Sequence, residues 1–151
     1  MTSSLFPVSA TVSVRYRDLD PLGHVNNAVY ASYLEWARVA YRLKLAEIEG
    51  REVPRELAAT DIEYVIAQLT INYRSPAFLG EQLDIGIKVS SIGRTSFVYE
   101  YSITERDSGR LVATARSVQV MVDNETGDKK PVPDEFLNAI ETLEDRPVPR
   151  H

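Results

Sequence analysis

The chain has 151 residues, and its 17 Lys and Arg against 22 Asp and Glu give a net charge of −5; this length predicts one domain, and the acidity argues against general nucleic-acid binding, which depends on neutralising phosphates. It has no cysteine and two histidines, which removes disulfides, thiolate metal sites and a cysteine nucleophile, and leaves a metal centre built on several imidazoles unexpected. The 44% hydrophobic and 26% charged shares are those of an ordinary globular chain, no apolar run approaches the ~20 residues that span a bilayer, and the lack of cysteine fits a reducing compartment, so a cytoplasmic protein without membrane association is expected.

Met1–Pro7 lacks a basic segment and a long apolar run, so no signal peptide is expected, and the stretch reads as flexible. From Val8 to Arg17 the chain alternates: Val8, Ala10, Val12, Val14 and Tyr16 on one face, polar residues on the other. That is the period of a half-buried strand. A turn-rich connector, Asp18 to Asn27, follows. From Asn27 to Glu49 the spacing predicts a long helix, buried on most sides, with Val29, Tyr33, Trp36, Ala37, Ala40, Leu43 and Ala46 or Glu47 inward. Glu35, Arg38 and Arg42 stand at i, i+3 and i+7 and are expected to pair along one edge. Gly50 reads as the stop, and the stretch to Asp61 as a polar loop containing Pro54.

Three further alternating runs predict strands: Val65 to Tyr73, Leu83 to Val89, and Phe97 to Ile103. A hairpin at Ser91–Arg94 joins the second to the third. Leu111 to Val122 reads as another strand, but its apolar phase changes midway, so either both faces are covered or a bulge shifts the register. Asp134 to Leu143 predicts a short helix with Phe136, Leu137 and Ile140 inward, and 145–151 has the composition of a flexible tail. The expected fold is α+β: one strand, one long buried helix, then four antiparallel strands, with a sheet of about five strands wrapped around the helix.

The chemistry concentrates in the connector. Asp20-Pro-Leu-Gly23 suits a type I turn, and Asn26 or Asn27 suits an N-cap. Local chemistry can be satisfied by a plain turn with a cap. The same segment also brings a carboxylate, Asp20, and an imidazole, His24, to a helix N-terminus with its open N–H groups and positive dipole end. Such donors stabilise an oxyanion, and a nearby carboxylate can attack a carbonyl or activate water. That set suits hydrolysis of an activated ester or thioester. Asp18, two residues earlier, reads as a structural carboxylate.

The stretch Arg17-Asp-Leu-Asp20-Pro-Leu-Gly23-His-Val-Asn-Asn-Ala-Val-Tyr30, followed by Tyr33-Leu-Glu-Trp-Ala-Arg38, resembles the hot-dog-fold acyl-CoA thioesterases of the 4-hydroxybenzoyl-CoA thioesterase type. The element order matches over roughly residues 8 to 143, and the Gly93–Phe97 hairpin also fits. The His-Val-Asn-Asn variant is similar to bacterial long-chain acyl-CoA thioesterases and, more distantly, to plant acyl-carrier-protein thioesterases. The resemblance implies that Asp20 is the catalytic carboxylate, as nucleophile or general base. It places the oxyanion donor at the Asn27 N–H, with Gly23 on the tight turn, Asn26 beside it and Tyr30 at the pocket. The nucleotide end of coenzyme A would lie at Arg94, Thr95 and Ser96. His24 stands where benzoyl-specific enzymes carry an apolar residue, which favours a fatty acyl chain, and it joins Asp20 and Asn27 as a catalytic candidate.

The resemblance further implies a homodimer or homotetramer with sites at the subunit interface, an acyl-CoA substrate and no separate cofactor. Because the protein is acidic, anionic coenzyme A needs a local basic patch, for which Arg94, Arg106, Arg110 and the Lys129–Lys130 pair are candidates. Two other functions keep the same residues: an enoyl-CoA hydratase using Asp20 with His24, and a non-catalytic acyl-CoA or acyl-carrier binding module. The hydratase reading is weakened by the short Asp-to-His spacing and the missing Asn-Pro context of that branch.

Overall fold

In the computed structural model, residues 5–51 and 64–151 are described. The elements are β1 (Val8–Ser13), α1 (Tyr30–Ile48), β2 (Tyr64–Tyr73), β3 (Gln82–Ile92), β4 (Ser96–Glu105), β5 (Leu111–Met121) and α2 (Asp134–Glu144), with single 3-10 turns at Tyr16–Asp18 and Asn27–Val29. The strands form one antiparallel sheet in the order β1-β3-β4-β5-β2. The loop expected between Gly50 and Asp61 lies largely outside the described residues, as do the first four residues of the N-terminal stretch.

The strong period-two runs build the inner face. Leu83, Ile85, Ile87 and Val89 of β3 are all 0% exposed, and Phe97, Tyr99, Tyr101 and Ile103 of β4 are buried beside them. Against this face lie Leu34, Ala37, Tyr41 and Leu45 of α1. Burial of each large side chain contributes about 1.5–3 kcal/mol, so this layer is the main source of stability. Phe136, Ala139 and Ile140 of α2 close one end.

Four expectations are corrected. The first strand stops at Ser13, because the Arg15 N–H donates to Asp18 Oδ2 at 2.9 Å and bends the chain into a 3-10 turn; Tyr16, expected inside, is 81% exposed. The inward stripe of α1 keeps Tyr33, Ala37 and Ala46 of the expected one but is rotated: Tyr30, Leu34, Arg38, Tyr41, Arg42 and Leu45 are buried as well, whereas Trp36 is 45% exposed. Arg38 and Arg42 are therefore buried against the sheet, and the expected pairing with Glu35 does not occur among the described residues. The phase change in β5 has a polar cause: Ala113, Ala115, Ser117, Gln119 and Met121 all face inward in one unbroken alternation. Register shifts also occur on both sides of β5: against β4 at its start, between Ile103 and Thr104, and against β2 opposite Val118 and Gln119, between Ile66 and Gln68.

The inward polar residues of β5 meet Arg38. Its Nη1 donates to Tyr101 Oη at 3.1 Å, Tyr101 and Ser117 share a hydrogen bond of 2.6 Å, and the Ser117 hydroxyl donates to Gln119 Oε1. Gln119 Nε2 then donates to the Phe97 carbonyl. A buried polar group needs such partners to avoid a desolvation cost of ~1–3 kcal/mol.

The fourth correction concerns the C-terminal stretch. Val148 is buried, the Ile92 N–H donates to the Pro149 carbonyl and the His151 N–H to the Ile92 carbonyl, so 148–151 adds a short parallel bridge to β3. Near the other end, the Phe6 ring packs over Gly86, where a Cβ would come within 2.7 Å of it.

Candidate functional site

The Asp18–Asn27 connector is held by its own hydrogen bonds. The Gly23 N–H donates to the Asp20 carbonyl at 3.0 Å, and Leu22 N–H donates to Asp20 Oδ1 at 2.9 Å, an Asx turn inside a β-turn. Gly23 takes φ +85°, which glycine adopts without strain. The Asp20 N–H then bonds the His24 carbonyl, Leu19 bridges Val25, and the Asn26 N–H donates to the Asp18 carbonyl. Val25 is buried and donates to the Ala77 carbonyl, which ties the connector to the loop before β3.

On the crest of this turn, His24 Nδ1 lies 3.3 Å from Asp20 Oδ2, with side chains 31% and 19% exposed. One oxygen of Asp20 thus fixes the turn and the other faces the imidazole. Asn26 is the cap: its side chain accepts from the Ala28 N–H at 2.9 Å, and its carbonyl accepts from Val29. Those bonds leave the Asn27 N–H, first in the turn, without an intrahelical acceptor. The Asn27 carbonyl accepts from Tyr73 Oη, so the end of β2 is fastened to the same turn.

Asp18 has a different office. It is 3% exposed and accepts from the Arg15 N–H, the Arg15 guanidinium and Tyr33 Oη. Burial pushes its carboxyl up, but these three donors outweigh burial and hold it below the usual carboxylate range. The same carboxylate, together with burial, raises the Tyr33 phenol. Tyr30, expected at the pocket, is buried against the rings of Tyr33 and Tyr73.

The second set of expected residues sits on the β3–β4 hairpin. Arg94 is exposed and makes no ion pair among the described residues, while its carbonyl accepts from Val132. The Thr95 carbonyl accepts from Met121, and Ser96 Oγ lies 3.3 Å from His151 Nε2. Two of the other basic candidates are already paired: Arg106 with Asp84 at 2.8 Å, and Arg110 with Glu81 at 2.8 Å. The sequence signal did not disclose the Tyr33–Asp18 bond or the seating of His151 on the hairpin, because both join residues that no local pattern relates.

A long helix packed against one five-stranded antiparallel sheet defines the hot-dog class of proteins. Residues 14–140 match the Thioesterase-like superfamily, and the chain belongs to that family; it is a thioester hydrolase. It is 30% identical over 132 residues to the long-chain acyl-CoA thioesterase FadM of Escherichia coli (strain K12), covering 87% of this chain and 96% of that one. It is 25% identical to the 1,4-dihydroxy-2-naphthoyl-CoA hydrolase of Synechococcus elongatus, covering 87% and 93%. Among solved structures, a thioesterase from Thermus thermophilus complexed with coenzyme A and Zn superposes with a TM-score of 0.81 at 34% identity, covering 95% of this chain and 98% of that one. In this chain, no group of three or more His, Cys, Asp or Glu suited to a metal occurs among the described residues.

Proposed function

We propose that this protein hydrolyses acyl-CoA thioesters in the manner of the 4-hydroxybenzoyl-CoA thioesterase type, with Asp20 as the catalytic carboxylate, and that its acyl group is a fatty chain. The observation that carries the reading is the Asp20–His24 pair at 3.3 Å on a turn that also opens α1. The thioester carbonyl sits over the helix start, where the Asn27 N–H receives the developing oxyanion. Asp20 either attacks the carbonyl carbon, forming an anhydride that water then hydrolyses, or takes a proton from the attacking water; the C–S bond breaks, coenzyme A takes up a proton and leaves as the thiol, and the acyl group leaves as the free acid. His24 orients the acid. Gly23 and Asn26 hold the turn and its cap, and Tyr30 backs it. The fatty-acyl reading is supported by His24 and by the long-chain activity for which FadM is named. No separate cofactor enters this scheme, and the cysteine-free composition supports a cytoplasmic setting.

Coenzyme A meets the hairpin at Arg94, Thr95 and Ser96, where Arg94 is exposed and unpaired among the described residues. The site is completed by a second copy of the chain. In support, β2 is an edge strand with Val65, Ile66, Leu69 and Tyr73 37–51% exposed, and an unpaired apolar edge is unstable in water. Because Tyr73 is fastened to Asn27, a strand paired along β2 arrives beside the turn. The exposed Tyr16, Leu22, Phe78 and Leu79 near the turn support the same arrangement. A dimer is the smallest such assembly, and a tetramer is two of them.

The test is a panel of acyl-CoAs from acetyl to palmitoyl with aryl-CoAs beside them, following free thiol. Release that rises with chain length supports the reading. Release only from aryl-CoAs overturns the fatty-acyl part, and loss of enoyl absorbance from crotonyl-CoA without thiol overturns hydrolysis.

A further inference from the structure

The stretch Val148–His151 is seated on the end of β3 without help from the His151 side chain. Val148 is buried, the Ile92 N–H donates to the Pro149 carbonyl at 2.9 Å, and the His151 N–H donates to the Ile92 carbonyl at 3.0 Å. These bonds carry the exposed imidazole onto the β3–β4 hairpin. Its Nε2 lies 3.3 Å from Ser96 Oγ. Gly93 gives the pair room: a Cβ there would come within 2.7 Å of His151 Nε2 and 2.9 Å of Ser96 Oγ. The hairpin itself is fastened, since Gly93 N–H donates to the Ser96 carbonyl, and the Arg94 and Thr95 carbonyls accept from Val132 and Met121.

Proton counting specifies what the pair can do. A serine hydroxyl and a neutral imidazole carry one polar hydrogen each, and the bond between them uses one. If Ser96 donates to Nε2, the ring N–H is at Nδ1 and is left over. If Nε2–H donates to Oγ, the hydroxyl hydrogen is left over. Either way one donor remains, and neither side chain has another partner among the described residues. Next to Gly93 stands Arg94, exposed and without an ion pair among the described residues. A fixed neutral donor and a guanidinium on one tight hairpin suit the several acceptor oxygens of a phosphate. The neighbouring Arg150 is already committed: its Nη1 donates to the Val148 carbonyl at 2.7 Å, and its Nη2 lies 3.5 Å from Glu141 Oε2.

We propose that His151, together with Ser96 and Arg94, binds a phosphate at the nucleotide end of coenzyme A and so favours thioesters carried on coenzyme A over those carried on a phosphate-free thiol. This rests on the reading of the hairpin given above and adds to it a residue from outside the hairpin. Coenzyme A carries a 3′-phosphate and a 5′-diphosphate. The pair offers either of them the same chemistry, and the test separates the two.

Calorimetric titration with adenosine 3′,5′-bisphosphate reads this site without turnover, so its failure is distinct from a failure of hydrolysis. Wild type is expected to bind the bisphosphate saturably, one per chain. His151→Ala removes only an exposed ring and keeps the backbone bonds of the seat. It should weaken the bisphosphate about tenfold and raise KM for acyl-CoA by a similar factor. Gly93 does not take a positive φ, so Gly93→Ala strains no backbone; it drives His151 from Ser96 and should weaken the bisphosphate as well. With the acyl thioester of N-acetylcysteamine, which has no phosphate, the rise in KM should vanish. Weakening by His151→Ala for the bisphosphate but not for AMP assigns the 3′-phosphate, and weakening for both assigns the 5′ group. The proposal is overturned by absence of saturable bisphosphate binding, or by wild-type affinity in either variant. An equal loss for unphosphorylated adenosine would make the ring a support for the base and overturn it too. So would an equal rise in KM for the N-acetylcysteamine thioester, which would give His151 a purely structural part.

Discussion

The N-terminal end of α1 and its middle turns both bring charged side chains against the sheet, and they treat them differently. At the N-terminal end, Asp18 is buried with three donors around it, while Asp20 two residues later keeps one oxygen on the turn and one beside His24 near solvent. In the middle turns, Arg38 is bonded into a chain of hydroxyls and an amide, while Arg42 is as deeply buried with two donors unmet among the described residues. Each region thus pairs a residue committed to structure with one left uncommitted. The uncommitted acid is wet, so it costs little; the uncommitted cation is dry, and the Tyr64 ring 5.5 Å away offsets only part of its lost hydration. That difference decides which of the two a solute can meet: the acid at the turn is open to solvent, and the cation in the middle of the helix is not.

The contrast breaks most visibly at Asp20. Asp20→Ala is expected to lower thioester turnover by ~10²–10⁴-fold while thermal unfolding stays close to wild type. Free-thiol release at the wild-type rate would remove Asp20 from the chemistry.

Asp18→Asn is expected to do the reverse. It should lower stability by about 1.5–3 kcal/mol, since hydrogen bonds to a charged group are lost, and change turnover per folded molecule little; urea unfolding measures it. The pH dependence follows from the same contacts. The folded carboxyl titrates below its ordinary value of 3.8, so its contribution is fully present above that value and is lost as the pH falls below it. The wild type should therefore lose stability below about pH 4 more steeply than Asp18→Asn, and parallel curves would show that Asp18 does not carry the effect.

Leu69→Lys places a charge on the exposed edge strand. The dissociation constant of the assembly should rise at least about tenfold, read by sedimentation equilibrium, with turnover falling in step. A monomer with full turnover would show that one chain holds a complete site. The smallest effect is expected at Gly23. Nothing lies within 4 Å of a Cβ placed there, so Gly23→Ala should cost only the left-handed backbone penalty, about 1 kcal/mol. A much larger loss in the unfolding midpoint would reveal a contact at the turn.

The amino-acid sequence by itself determined the features whose causes are local. The period-two runs at Leu83–Val89 and Phe97–Ile103 became β3 and β4 with the expected faces inward, and the Asp20-Pro-Leu-Gly23 turn and the Asn26 cap formed because their side chains bond the backbone within four residues. Only the tertiary structure decided which face of α1 is dry, because that depends on which strands lie over it. Arg38 and Arg42 read as charges paired along one helix edge, and in three dimensions they are buried, as are Ser117 and Gln119. It also seated Val148–His151 on β3, since the deciding bonds join Ile92 to Pro149 and to His151. Local periodicity records what a residue prefers; the solvent left around it after packing decides what it does.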